Sequence, residues 1–403
     1  MLKISSRVSR LELSPHRQLV AKVDELLRQG RDVYNYSAGQ PGLPPDLGAL
    51  KEFCTGLIND PFNYSRYVGV RGLKDLKDAI ADDLKMYGGI DVDPNNILVT
   101  TGGVEAVFLS LNVVTDPGDK ILMLDPSYSV YWGLVKYLGL KPVRCSQSVD
   151  RGFQPSLECI ERAINEEGVA AALVASPDNP TSRVIDEGIA KALVELAVDR
   201  GVWVLYDEAY RHIVYEGSHV WMQRFSGAER VVVGLGSFSK DIAIPGFRLG
   251  YMYGPKEVID QAAKLKGYLS ITSPVPAQHL ALKYLRGGFK ESYLKYALSV
   301  YRSRRDAAYR ALRKNLPKAR VWRPNAGMYL FPDMTPYIAD LGIDDVRFTY
   351  RLAEEKAVVM LPGSIFGESG VNHLRITFVT QPEDRLERGV ELLAEFIDEL
   401  RSR

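Results

Sequence analysis

The sequence is poor in the features that mark several common protein classes. Its 403 residues include three cysteines, Cys54, Cys145 and Cys159, with no CxxC pair among them. That pattern argues against a disulfide framework and against a zinc site. The five histidines are scattered without metal-ligand spacing, and a structural role is expected for each. No apolar run reaches the ~18 residues that a membrane-spanning helix needs. The opening residues, Met1-Leu2-Lys3-Ile4-Ser5-Ser6-Arg7, are too polar to begin a secretory signal. An excess of one charge is missing too: 51 basic residues face 50 acidic ones, for a net charge of +1. Nucleic acid and anionic membranes therefore have no electrostatic claim on this chain. No internal repeat or low-complexity tract occurs. A soluble cytoplasmic protein is expected.

What is present is the composition of an ordinary globular protein, 46% hydrophobic and 25% charged. The length exceeds a single core, so two domains, or one large and one small, are expected. A helix is expected from Ser14 to Gln29, with Ser14 as N-cap, Pro15 in the first turn, and Leu19, Val23, Leu26 and Leu27 on one face. The loop Gly39-Gln40-Pro41-Gly42-Leu43-Pro44-Pro45 breaks regular structure. Short apolar strands then alternate with helices: Ile97–Thr100, Lys120–Leu124, Ala170–Ala175, Val202–Tyr206, Val231–Leu235 and Leu249–Tyr253, with helices such as Val104–Val114 and Gly188–Arg200. This alternation predicts an α/β domain with a mostly parallel sheet covered on both faces. After a helical stretch, Leu294–Leu316, strand-like pieces (Val321–Trp322, Gly327–Phe331, Val358–Met360, Leu374–Phe378) and a final helix near Pro382–Leu400 predict a smaller α+β domain.

The most informative stretch is Gly236-Ser237-Phe238-Ser239-Lys240, continuing to Gly246-Phe247-Arg248. A lysine amine forms a Schiff base with a carbonyl cofactor, and neighbouring hydroxyls and a guanidinium suit a phosphate. The combination points to pyridoxal phosphate. Asp207 ends the apolar run Val202–Tyr206, at the strand end where α/β folds place ligands. It could hold a protonated pyridine nitrogen or simply cap the next helix. Tyr210 and Asn179 could hydrogen-bond the ring oxygen, although Asn179-Pro180 is also a turn signal. Thr101-Gly102-Gly103-Val104 joins a strand to a helix N-terminus, a place for a phosphate or just a tight turn. Tyr128 could stack on the ring or sit at a domain surface. Arg375, in an apolar run, suits either a substrate α-carboxylate or an interdomain ion pair.

In this order, from Gly39-Gln40-Pro41 to Arg375, these motifs resemble the class I/II aminotransferases of pyridoxal-phosphate fold type I. The Ser-x-Ser-Lys…Gly-x-Arg block is the most specific part, followed by Asn-Pro-Thr and Tyr-Asp-Glu-Ala-Tyr. The resemblance implies a large cofactor domain over residues 46–285, with a mostly parallel mixed sheet, and a small C-terminal domain over 286–403. Residues 1–45 would form an N-terminal arm and part of the small domain. It also implies roles. Lys240 would be the cofactor-bearing lysine and acid/base, and Asp207 the pyridine-nitrogen partner, with Asn179 and Tyr210 on the ring oxygen. Ser237, Ser239, Arg248 and the Gly103–Val104 backbone would hold the phosphate, beside Tyr128. Arg375 would bind the α-carboxylate, with Asn179 and the Gly39 loop at the substrate. Tyr64, in Tyr64-Ser65-Arg66-Tyr67-Val68-Gly69, would reach the phosphate of a partner subunit in a homodimer with shared active sites. Two positions depart from the family pattern: Ser182 follows Asn179-Pro180-Thr181 where glycine is usual, and Val104 stands where a subgroup active on aspartate often has lysine. The implied activity is amino transfer from an L-amino acid to a 2-oxo acid by a ping-pong mechanism. A lyase on the same fold, cleaving a carbon–sulfur bond or cyclising its substrate, is the alternative. A cofactor-sensing regulator is disfavoured, because little chain precedes the Gly39 loop to form a DNA-binding module.

Overall fold

The computed structural model describes residues 4–9, 11 and 15–402. Apolar runs become the strands of a seven-stranded sheet: β1 (Ile97–Thr100), β2 (Lys120–Asp125), β3 (Lys141–Ser146), β4 (Ala171–Ala175), β5 (Trp203–Asp207), β6 (Val232–Ser237) and β7 (Gly250–Tyr253), in the order β1-β7-β6-β5-β4-β2-β3. All run parallel except β7, which is antiparallel to both of its neighbours, β1 and β6. The sheet is mixed and mostly parallel, as expected.

Every β4 residue is buried, because helices cover both faces. Leu173, Leu205 and Val233 pack on one side with Ala106, Val107 and Ile259. Their neighbours Ala172, Val174, Val204 and Val232 pack on the other with Ile160, Leu193 and Val194. The period-2 alternation of side chains thus feeds two cores from one set of strands. β3 has no counterpart among the expected strands. It is an edge strand, Lys141-Pro142-Val143-Arg144-Cys145-Ser146, largely exposed, and polar edges lack the apolar signature.

Beyond the sheet, Tyr34–Asn35 pairs with Val358–Val359, and Leu361–Pro362, Leu374–Thr377 and Tyr329–Leu330 form a second small sheet. The long Phe289–Asn315 helix and the closing Glu383–Ser402 helix flank them. Tyr36 is fully buried in the same cluster as Leu330, Phe378 and Val390, and its hydroxyl donates to the Arg385 carbonyl at 2.5 Å. Val321–Trp322 forms no strand. Only the isolated Arg320–Asp333 bridge precedes it, and Trp322 instead packs edge-on against Phe153, 6.4 Å between centroids. After a short helical turn at Ser6–Ser9, the expected helix spans Pro15–Arg28; Ser14, its expected cap, lies outside the described residues.

The expectation about cysteine needs correcting. Cys145 and Cys159 form a disulfide, their Cα atoms 5.7 Å apart, while Cys54 is a free, exposed thiol. Spacing in sequence hides the pair because the Leu157–Asn165 helix folds back onto β3 and brings the two side chains together. Among the described residues, no helix is long and apolar enough to cross a membrane.

Candidate active site

The C-terminal ends of the parallel strands and the loops that follow them converge on a cavity of about 510 Å³. β4 leads to Asn179, β5 ends in Asp207, β6 ends in Ser237, and the helical turn Phe238–Asp241 that follows β6 carries Lys240. Lys240 points in from the sheet and its Nζ donates to the Gly39 carbonyl, 5.6 Å from the centre of the Tyr210 ring. Burial, with Arg375 and Arg248 nearby, pushes its amine down to about 8, against the opposing pull of Asp207. A base near neutrality is what proton transfer from carbon requires.

Asp207 accepts from the Tyr131 hydroxyl at 2.5 Å and from the Ala209 amide at 2.9 Å. Burial raises its carboxyl despite those two donors, so a cation brought against it would be strongly favoured. Arg375 is 2% exposed. Its Nη1 donates to Asn179 Oδ1 at 3.1 Å and its Nη2 to the Ser37 carbonyl at 2.6 Å. Its guanidinium lies 4.4 Å from the Tyr329 ring centre, and its Nε has no partner. A buried donor left open at a cavity is free to take up an acceptor brought there. Tyr210 and Tyr329 share a hydroxyl–hydroxyl bond of 2.7 Å.

At the other end, Gly102 takes φ +78° and Gly103 opens the Gly103–Val114 helix. A Cβ on Gly102 would sit 2.5 Å from Arg248 Nη2, and one on Gly250 would sit 2.7 Å from the Gly102 carbonyl carbon and the Gly103 nitrogen. Backbone amides, Arg248 and Ser237 are thereby brought together; Ser237 Oγ already accepts from the Ser239 amide at 3.3 Å. Glycine here is a condition of the close approach, and a helix N-terminus beside a guanidinium is an anion cradle. Behind it, Glu105 accepts from the Thr101 amide, from Lys266 Nζ at 3.0 Å and from Ser270 Oγ at 2.7 Å. Lys266 is fully buried.

The structure therefore brings Gly39, Gly103, Val104, Tyr128, Asn179, Asp207, Tyr210, Ser237, Ser239, Lys240, Arg248 and Arg375 to one cavity. Tyr64 is elsewhere: it is buried and stacked on His279, with ring centres 3.9 Å apart. Sequence reasoning missed Tyr131, which holds Asp207, and Tyr329, which lies between Tyr210 and Arg375. Neither stands apart from a core tyrosine until the chain is folded. Ser182 answers its own departure from pattern. It adopts φ +58°, a conformation glycine favours, and its Oγ accepts from the Met328 and Tyr329 amides at 3.1 and 2.9 Å.

The residues present fit pyridoxal phosphate, with a glycine-lined cradle for its phosphate, a buried acid for its ring nitrogen and a lysine within the same cavity. With the sheet order, they define the class as an α/β enzyme of pyridoxal-phosphate fold type I. The aminotransferase class I and II family matches residues 31–393, and the chain belongs to that family. It is a pyridoxal-phosphate-dependent aminotransferase acting on amino and 2-oxo acids. A probable aspartate/prephenate aminotransferase of Aquifex aeolicus is 30% identical over 400 residues, covering 98% of this chain and 99% of the relative. Among solved structures, the aspartate aminotransferase of Thermus thermophilus with maleate matches with a TM-score of 0.90 at 30% identity, over 98% of this chain and 100% of the other. An alanine aminotransferase from Pyrococcus furiosus matches with a TM-score of 0.89 at 29% identity, over the same shares.

Proposed function

We propose that Lys240 carries the cofactor and moves the substrate's α-proton, and that Arg375 fixes the substrate for that step. The observation that carries this reading is the convergence of the lysine, the buried acid and the guanidinium with its open Nε on one cavity. Arg375 takes the α-carboxylate and Asn179 steadies the guanidinium. Asp207, held by Tyr131 and the Ala209 amide, keeps the ring nitrogen protonated. Tyr210 and Asn179 donate to the ring oxygen, and Tyr128 packs on the ring. Ser237, Ser239, Arg248 and the Gly103–Val104 amides hold the phosphate. Bound there, pyridoxal phosphate supplies an electron sink for the pair left behind when the α-proton departs. Lys240 Nζ, with its lowered pKa, takes that proton from Cα. The Gly39 segment, which accepts from Lys240, closes the cavity against water.

Absorption spectroscopy of the holoenzyme tests this. Amino acids should convert the near-visible band to the shorter-wavelength pyridoxamine form, with ping-pong kinetics, and Lys240→Ala should abolish conversion. Stoichiometric release of ammonia and pyruvate would instead identify a lyase. The similar proteins are named for aspartate, prephenate and alanine, and so do not share one substrate pair.

The active assembly we propose is a homodimer in which Tyr64 serves the partner's phosphate. In its support, Phe62 and Tyr67, on either side of Tyr64, are 69% and 80% exposed, as surfaces awaiting a partner are. A fully active monomer by light scattering would refute it. We also propose the domain division 1–45, 46–285 and 286–403, supported by the burial of Tyr36 among C-terminal residues; limited proteolysis should cut near 45 and 285. A cytoplasmic location suits free amino and oxo acids, but the Cys145–Cys159 disulfide is unusual in a reducing compartment. Fractionation with thiol labelling decides the point.

A further inference from the structure

We propose that the preferred amino donor has an apolar side chain rather than a distal carboxylate. This inference rests on the transaminase reading above and concerns the part of the cavity which that reading leaves unused.

The cavity lining combines charged and polar groups with a set of aliphatic side chains. Arg375, Asn179, Asp207 and Lys240 are committed to the α-carboxylate, the ring and the reacting carbon. Ser237, Ser239 and Arg248 are committed to the phosphate. A substrate held by its carboxylate on Arg375 and its amine at Lys240 has only one part left to place, its side chain. The walls that remain carry five valines, Val20 and Val23 from the Pro15–Arg28 helix, Val104 and Val107 from the Gly103–Val114 helix and Val130 at the start of the Ser129–Leu138 helix, beside the uncharged polar side chains of Asn35, Ser37 and Gln40. Val20 and Val104 are 43% and 37% exposed, so their apolar area is covered only when something sits against it. The charged residue beside Val20 and Val23 is an acid, Asp24, on the same helix.

Charge and burial act in the same direction here. Among the described residues of one protomer that line the cavity, the cations are Lys240, Arg248 and Arg375, each already given a role at the cofactor or the α-carboxylate. A distal carboxylate would shed water against valine and face the Asp24 carboxylate, an uncompensated desolvation with like-charge repulsion added. A leucine or phenylalanine side chain would instead cover the exposed faces of Val20 and Val104, gaining what each buried methylene gains.

The test uses the holoenzyme with L-leucine, L-phenylalanine and L-aspartate, following the half-reaction by absorbance. Binding of 4-methylpentanoate and succinate is read separately from the spectral shift of the resting enzyme. Leucine or phenylalanine should exceed aspartate in kcat/KM by at least about tenfold, the discrimination a pocket gives per methylene, and 4-methylpentanoate should bind more tightly than succinate. Val104→Lys, checked for cofactor loading by its spectrum, should move the ratio toward aspartate by about tenfold or more, and Asp24→Asn should move it the same way by less. Aspartate matching or exceeding both apolar donors in the parent enzyme overturns the inference and leaves the transaminase reading intact. Conversion of none of the three, in enzyme that has bound its cofactor, overturns both.

Discussion

Replacing Lys266 with methionine should destabilise the cofactor cradle more than its distance from the chemistry suggests. Lys266 is fully buried and Glu105 partly so, with side-chain exposures of 0% and 13%. Burial would raise the Glu105 carboxyl, but the Thr101 amide, the Ser270 hydroxyl and Lys266 together outweigh it and hold the pKa below the usual carboxylate value. Methionine keeps the volume of the lysine stem and removes only the charge. Removing one partner of a buried pair costs about 3–5 kcal/mol. Because the Thr101 and Ser270 donors stay, the low end, about 3 kcal/mol, is expected. Urea unfolding should report this loss, and amide exchange at Thr101 should quicken with it. The sign with pH is specific. A carboxylate with depressed pKa contributes stability that is present above its unfolded value of about 4.3 and is lost as pH falls through the folded pKa. Without Lys266 the carboxylate loses one of the groups that offset its burial and its pKa rises, so the deficit of the variant should be greatest at pH 7 and shrink toward pH 4. The double variant Lys266→Met/Glu105→Gln should recover much of it. A deficit below about 1 kcal/mol at pH 7, or one that does not change with pH, would refute this account of the pair.

Other expectations follow from the same geometry. Apoenzyme should take up pyridoxal phosphate at a rate that rises with pH to a midpoint near 8, where Lys240 becomes neutral; a midpoint near the unperturbed ~10.4 would mean the amine is not buried as described, and stopped-flow absorbance reads it. Arg375→Lys keeps the charge but loses the fork, and steady-state kinetics should show kcat/KM for amino acids falling roughly 30- to 1000-fold, the worth of one or two charge-assisted hydrogen bonds. Gly250→Ala would press a methyl against the Gly102–Gly103 backbone, so fluorescence titration should show weakened cofactor binding. Ser182→Gly should relieve the positive φ yet strand the Met328 and Tyr329 amides, a net loss of about 1 kcal/mol or more in thermal denaturation because unmet buried donors cost more than the backbone gains.

Legibility in the sequence tracked burial. Strands β1, β4 and β6 were readable because both of their faces are covered, leaving uninterrupted apolar runs such as Ala170–Ala175 for the eye to find. β3 was not, since an edge strand with Lys141, Pro142 and Arg144 carries turn-like chemistry. Lys240, Asp207 and Asn179 could be located from strand ends and local motifs. Tyr131 and Tyr329 could not, because what distinguishes them is a partner far along the chain: Asp207 for one, Tyr210 and Arg375 for the other. The disulfide was hidden for the same reason. Cys145 and Cys159 are a pair only once a helix lies on the sheet edge.

The reversed strand β7 also bears on how the protein is made. β1 emerges early in synthesis yet finds its hydrogen-bonding partner only in β7, Ile97 against Tyr253, and the Gly102–Gly103 turn that follows β1 rests on Gly250 of that same late strand. Until the ribosome has delivered β7, the front edge of the sheet is open and the phosphate cradle has no floor. Pairing so distant in the chain closes slowly. A nascent chain halted before Gly250 should therefore hold β2, β4, β5 and β6 together while remaining unable to retain the cofactor.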